Sequence, residues 1–315
     1  MRSFTKKTLA VASAAMLTLG VTACNRESSD DASGGAAGSN VTLALSTQTN
    51  PFFVQLRDGA QDKAKELGLN LNIQDASDDP ATQVNQLNNA ITSGAKVVIV
   101  NPTDSDAVVP AVEALNNANI PVVAVDRSAN GGDVASFVAS DNVAGGKQAA
   151  DALAKSIGEQ GEVLVLQGIT GSSASRDRGK GFNEGIANYP GIKVVASQTA
   201  GFDRTQGLNV ATNLLQAHPN VKAIFAENDE MALGALEALG ARAGKDVMVV
   251  GFDGTSDGLK AVQDGRMVAT IAQQPGELGA KAVEQAAKLA KGEEAEKEVP
   301  VEVVTVTKEN VADFE

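Results

Sequence analysis

The stretch Ala81–Asp126, ATQVNQLNNAITSGAKVVIVNPTDSDAVVPAVEALNNANIPVVAVD, shows the plan of the whole chain. It opens on an amphipathic segment rich in Ala, Leu and Gln, which Gly94 stops as a helix terminator. The apolar run KVVIVN (Lys96–Asn101) follows, and a second run, IPVVAVD (Ile120–Asp126), closes the stretch. Neither run alternates apolar with polar residues, so both read as strands covered on both faces. Such strands belong to a parallel sheet between two layers of helices.

The same alternation extends in both directions. Before the stretch stand VTLALS (Val41–Ser46) and LNLNIQD (Leu69–Asp75), separated by the helical segment QLRDGAQDKAKELG. After it come VASFVAS, EVLVLQG, IKVVASQ, VKAIFAE, DVMVVGFD, MVATIAQ and VPVEVVTV, with helical segments such as EMALGALEALGARAG between most of them. About eleven strands in one chain suit two sheets better than one. The stretch up to Asp126 and the stretch from Gly161 to Asp253 also look like copies of one plan, with apolar strands entering turns that contain Asn or Asp. The expected fold is therefore α/β, built as two similar doubly wound parallel-sheet lobes.

The chain has 315 residues, 43% of them hydrophobic and 21% charged, enough for two cores. It begins MRSFTKKTLAVASAAMLTLGVTAC, with Arg2, Lys6 and Lys7 before an apolar segment and small residues before Cys24. This reads as a secretory signal over residues 1–23. Cys24 is the only cysteine, which rules out an internal disulfide and a zinc cluster, and VTAC resembles a lipobox whose cysteine becomes the lipidated first residue. Val21 stands where that pattern more often has Leu. Cleavage there leaves 292 residues and removes three positive charges and no negative ones, taking the formal net charge from −13 to −16. So acidic a surface argues against nucleic acid as a partner. The segment NRESSDDASGGAAGSN (residues 25–40) has no apolar periodicity and reads, with Cys24, as a flexible acidic tether over 24–40.

In open α/β sheets, ligands bind beyond the carboxyl ends of the strands. Those ends carry Asn50, Phe52 and Phe53 after the first strand, Asn101 after the third, and Asp126 and Arg127 after the fourth. In the second half they carry Arg178, Phe202, Asn228, Asp253 and Gln273. Each has an ordinary structural reading as well: Asn50 and Asn228 as helix caps, Asp126 and Asp253 as caps or turn residues, Arg178 as a solvated charge, Phe52 and Phe202 as core. Adjacent Phe52 and Phe53 point about 100° apart on a helix, so both are not expected at the centre of one buried stripe. Taken together, two carboxylates, two guanidiniums, several amides and phenyl faces suit a small, neutral, polyhydroxylated ligand. Rings cover its C–H faces while Asp, Arg and Asn engage its hydroxyls.

The segments NPFFVQLRDGAQ, NPTDSDAV, ASDNVAGGK, RDRGKGF, FDRTQGLNV, AHPNVKAIFAENDEMALGAL, VMVVGFDGT and TIAQQPGELGAKAVE resemble the ribose-binding branch of the solute-binding family that serves bacterial ABC transporters. The resemblance runs from about Val41 to near the C-terminus. It implies two lobes, residues 41–140 with 274–300 and residues 141–273 with 301–315, joined by a three-segment hinge and closing over a sugar. It implies that Phe52 and Phe202 sandwich the sugar ring, with Phe53 packed beside them. Asn50, Asp126, Arg127, Arg178, Asn228, Asp253 and Gln273 would hydrogen-bond the sugar, Asn101 would be a further contact, and Phe252 would stand in the wall. The implied partners are D-ribose and a membrane permease, for a monomer with no cofactor and no metal. Glu227 departs from the family's pattern, placing a carboxylate where an amide is common. The lipobox departs too, pointing to a protein anchored to the membrane.

Other classes fare worse. The string nearest a dinucleotide fingerprint, GKGFNEG (Gly179–Gly185), has one residue too many, and GGKQ lacks the rest of a phosphate loop. His218, the only histidine, reads as a helix-end residue before a proline. A sugar-responsive repressor would carry a basic helix-turn-helix where this chain has a signal sequence. A sensor that presents its sugar to a receptor is compatible with the same residues, as is another pentose, hexose or signalling sugar.

Overall fold

The computed structural model describes residues 36–314; the signal sequence, Cys24 and the tether up to residue 35 lie outside the described residues. The chain runs β1 (Asn40–Leu45), α1 (Pro51–Glu66), β2 (Asn70–Asp75), α2 (Pro80–Thr92), β3 (Val97–Val100), α3 (Val109–Asn117), β4 (Val122–Val125) and β5 (Ser136–Ser140). It continues with α4 (Asn142–Ser156), β6 (Gln160–Gln167), α5 (Ser173–Ile186), β7 (Gly191–Thr199), α6 (Arg204–Ala217), β8 (Ala223–Ala226), α7 (Asp229–Leu239), β9 (Met248–Asp253), α8 (Ser256–Gln263) and β10 (Ala269–Ala272). It ends with α9 (Pro275–Ala290), β11 (Glu298–Val301) and β12 (Val304–Thr307).

These strands form two six-stranded sheets, ordered β11-β5-β4-β3-β1-β2 and β12-β10-β9-β8-β6-β7. All pairings are parallel except β10 with β12. The doubly wound plan expected from the Val/Ile runs is thus present twice. The stretch VPVEVVTV, read above as one strand, is divided: β11 adds in parallel to the first sheet and β12 adds antiparallel to the second. The chain changes lobe between them, at Glu302 and Val303. Residues 36–40, read as the end of the tether, also pack on the first lobe. Ala36 is buried, Gly38 N donates to Gly68 O at 2.8 Å, and Asn40 begins β1.

The strands divide their side chains between two cores because successive residues point to opposite faces. In β3, Val97 and Ile99 join the cluster under α1 and α9, while Val98 and Val100 join the one under α2 and α3. In β6, Leu164 and Leu166 face the α6–α7 side and Val163 and Val165 the α4–α5 side. Burial on both faces is why these runs show no polar alternation.

Three crossings link the lobes: Ser140 to Asn142, Ala272 to Pro275, and Val301 to Val304. They lie side by side and brace one another. Asp141 N donates to Val301 O at 3.2 Å, and Gln274 Nε2 donates to Glu302 O at 3.2 Å. In each sheet the strand order reverses next to the first strand of the unit, between β1 and β3 and between β6 and β8. Ligands of doubly wound folds collect at such switch points.

The helix that carries Arg178 is set by close backbone contact with α4. A Cβ on Gly146 would lie 2.2 Å from Arg178 O, and one on Gly181 would lie 2.1 Å from Val143 O. Backbone cannot rotate away, so Gly146→Ala must push α5 outward. We expect it to lower stability by about 1–3 kcal/mol in urea unfolding. An unchanged unfolding midpoint would show that the helices are free to separate.

Candidate functional site

Between the carboxyl ends of the two sheets lies a small cavity. The first lobe supplies Asn50, Phe52 and Phe53 at the start of α1, and Asp126 and Arg127 at the end of β4. The second supplies Arg178 and Ala174 from α5, Phe202 beyond β7, Asn228 beyond β8 and Asp253 at the end of β9. Nine of the eleven residues expected at the site therefore line one cavity. Ala174, which also lines the cavity, is a small apolar residue and carries no chemical signal in sequence.

The other two expected residues stand behind the wall. Asn101 is fully buried and donates Nδ2 to Asp126 Oδ2 at 3.1 Å and to Val125 O at 3.2 Å, while its Oδ1 accepts from Ser46 N. Gln273 donates Nε2 to Asp253 Oδ1 at 2.7 Å. Each holds one of the cavity's carboxylates. Phe252, expected in the wall, is core, with the Arg178 guanidinium 3.9 Å above its ring.

The bland and functional readings of the asparagines prove compatible. Asn50 caps α1, its Oδ1 accepting from Phe52 N at 2.9 Å, and Asn228 caps α7 by accepting from Met231 N at 2.9 Å. Both caps use the side-chain oxygen, and both residues still border the cavity. Phe52 and Phe53 are each 4% exposed, pack edge to face with centroids 5.1 Å apart, and belong to the first lobe's core while lining the cavity. The two rings point apart on α1 and do not share one stripe; both are buried because the first turn of α1 is covered on more than one side. Arg127 lies over both Phe53 and Phe202, at 5.1 and 5.5 Å from their centroids.

The charged groups are deeply buried yet loosely paired. Arg127 Nε stands 3.6 Å from Asp126 Oδ2, and Arg178 Nη1 stands 3.4 Å from Asp253 Oδ1, with all four side chains 5% exposed or less. Burial pushes the Asp126 and Asp253 carboxyls above the ordinary carboxylate range; the nearby arginines pull the other way. Burial also lowers Arg127. Asp126 Oδ1, Arg127 Nε and Gln273 Oε1 have no protein hydrogen-bond partner among the described residues. Three residues of the wall also adopt left-handed backbone: Asp126 at φ 64°, Phe202 at φ 59° and Asp253 at φ 122°. Such strain, of order 1–3 kcal/mol per residue, collects where a structure holds side chains for use.

The raised Asp253 pKa has a definite consequence for stability. A carboxyl that binds its proton more tightly folded than unfolded contributes stability that is complete below the unfolded value of 3.8 and is lost as pH rises through the folded value. Sugar-free wild-type protein should therefore lose more stability than Asp253→Asn as pH is raised from below that value into the alkaline range. Urea unfolding of both across this window checks it, and equal slopes would refute it.

Comparison with known proteins agrees with this geometry. The family described as periplasmic binding protein domain matches residues 41–294. The chain is 54% identical to the ribose import binding protein RbsB of Salmonella typhimurium over 85% of its length and 90% of that protein's. It is 48% identical to the ribose import binding protein RbsB of Haemophilus influenzae, over 96% of this chain and 99% of that one. Among solved structures, the Caulobacter myo-inositol binding protein bound to myo-inositol superposes with a TM-score of 0.83 at 37% identity, over 87% of this chain and 95% of its own. The chain belongs to the periplasmic binding protein family, whose members are extracytoplasmic solute-binding proteins.

Proposed function

We propose that this protein captures D-ribose in the cavity between its lobes and delivers it to the permease of an ABC transporter. The observation that carries the proposal is a pair of buried polar atoms lacking protein partners, Asp126 Oδ1 and Arg127 Nε, on residues that line the cavity with Phe52, Phe53 and Phe202. A buried donor or acceptor left unpaired costs about 1–3 kcal/mol. Hydroxyls relieve that cost for donors and acceptors alike. The relatives named for ribose import support ribose within this class. A neutral ligand brings no further charge into this buried site.

On this reading the two moving lobes are residues 41–140 with 274–301 and residues 141–273 with 304–314, the last crossing lying at Glu302 and Val303 and not after residue 300, because Val301 still pairs in β11. The hinge crossings allow them to part, and the sugar biases them shut by contacting both. A preference of ~10⁴-fold for the closed form takes a 1:99 equilibrium to 99:1. The permease then reads the closed shape, and no covalent step is needed. The protein acts as a monomer without catalytic activity. The runner-up is a different polyol or sugar in the same cavity, or a sensor that presents it to a receptor; the myo-inositol complex of the Caulobacter protein favours including polyols in the test.

Calorimetric titration with D-ribose, D-allose, D-xylose and myo-inositol decides the ligand. We expect ribose to bind with micromolar affinity or better, about −8 kcal/mol or stronger. Phe202→Ala should cost about 1–3 kcal/mol of binding by removing one face of the sandwich. Arg178→Ala should cost at least as much, by removing the positive charge beside Asp253 and a donor to the sugar in a buried site. Normal ribose affinity in both variants would move the site elsewhere; tighter binding of another sugar would keep the site and change the ligand.

The chain is held at the membrane by lipid on Cys24, with residues 1–23 removed as signal and the acidic segment behind Cys24 as spacer. The lipobox-like VTAC sequence supports this reading. Cys24→Ala should abolish labelling by a fatty-acid probe and move the protein to the soluble fraction. Continued membrane retention without label would overturn the anchor.

A further inference from the structure

Beyond the residues that face the cavity, one buried acid is tied to the segment that joins the lobes. Glu227, at the end of β8, is fully buried. Its Oε2 accepts from Gly168 N at 2.7 Å and from Ser175 Oγ, fastening both ends of the loop between β6 and α5. That loop does two things. Gly168 packs so tightly under Phe202 that a Cβ there would lie 2.1 Å from the ring. Its far side crosses to the first lobe: Ser105 N donates to Gly171 O at 3.1 Å, and Ser128 N donates to Ser173 Oγ at 2.8 Å. Away from the three hinge crossings, these are the direct hydrogen bonds between the lobes among the described residues. Gly171, at φ 92°, has no room for a side chain, since a Cβ would lie 2.1 Å from Asp104 Oδ2 of the other lobe.

We propose that Glu227 is a positioning residue for sugar binding: its carboxylate holds the Gly168–Ser175 loop so that Phe202 meets the ligand and Gly171 and Ser173 latch the lobes. The proposal rests on the sugar-binding reading above. An ionised carboxylate accepts these two hydrogen bonds more strongly than a neutral acid does, so the latch is firmest when Glu227 is charged. Burial pushes Glu227 up to about 7, against the pull of Ser175, Gly168 and Arg178. The charged group facing it is Arg178 of α5, whose Nη1 donates to Glu227 O at 2.6 Å and lies 3.4 Å from Asp253. From α5, Gly179 also approaches Oε1, which has no protein partner. Asp229, two residues on, is engaged instead by Thr255 and Thr270.

Glu227→Gln keeps the shape and removes the charge. D-ribose affinity of wild type and variant is measured by calorimetry from about pH 5.5 to about pH 8.5. Any contribution from Asp126 or Asp253 is common to both proteins, so the difference isolates Glu227. We expect the two to converge at the acid end and wild type to bind roughly ten-fold more tightly at the alkaline end. Parallel affinity profiles overturn the proposal. In sugar-free protein the Gly168 amide resonance should titrate near neutrality in wild type and not in Glu227→Gln, and Ser175→Ala, which removes a donor to the charged form, should move its midpoint upward. If ribose fails to bind wild type, the ribose reading falls separately, and the amide decides: a Gly168 resonance that does not titrate, or titrates equally in Glu227→Gln, overturns the proposal.

Discussion

Burial of four charges at the meeting of the two sheets governs this structure. Asp126, Arg127, Arg178 and Asp253 are nearly inaccessible, and ions of this kind are tolerated in an interior only with opposite charges and hydrogen bonds around them. The pairs here stand 3.4 and 3.6 Å apart, too far for strong mutual hydrogen bonds. The protein makes up part of the difference from behind, with Asn101 on Asp126, Gln273 on Asp253, and Asn142 accepting from Arg178 Nε at 2.8 Å. Asp126 Oδ1 and Arg127 Nε, on residues of the cavity wall, remain without a protein partner.

This requirement accounts for the surrounding architecture. Only strand ends at a topological reversal leave a gap wide enough for several side chains to converge without breaking a sheet, and the molecule brings two such gaps face to face. Asp126, Phe202 and Asp253 combine left-handed backbone with a place in the cavity wall. Tight neighbours hold those turns: Gly168 leaves space for the Phe202 ring, and Gly254 N, just beyond Asp253, donates to Thr270 Oγ1 at 3.2 Å. Strain at the wall is thus carried by packing beneath it.

The three residues Glu227, Asn228 and Asp229 show how one strand end organises its neighbours. Glu227 takes the loop before α5 on one side, and Asp229 takes the turn after β9 on the other, where Gly251 and Gly258 leave room for its carboxylate. Asn228, between them, caps α7 and borders the cavity. Arg178 and Asp253, which belong to different elements, are thereby fixed relative to each other through β8.

The two doubly wound lobes were legible in the residues alone, because strands buried on both faces must be written as unbroken Val/Ile runs and parallel strands need intervening helices. Most of the cavity wall was legible too, since ligand positions in such folds follow strand ends. The rest depends on which elements meet in space. VPVEVVTV had to be split between two sheets, and that choice depends on which edge each half meets. Asn101 and Gln273 stand behind Asp126 and Asp253, a depth that periodicity does not encode. The burial of both Phe52 and Phe53 follows from what covers the first turn of α1. Glu227 owes its role to Gly168 and Ser175, more than fifty residues away in the chain and adjacent only once β6 and β8 pair. Local pattern sets which face of an element is buried; which groups meet there depends on long-range packing, and the chemistry of this cavity is made by those meetings.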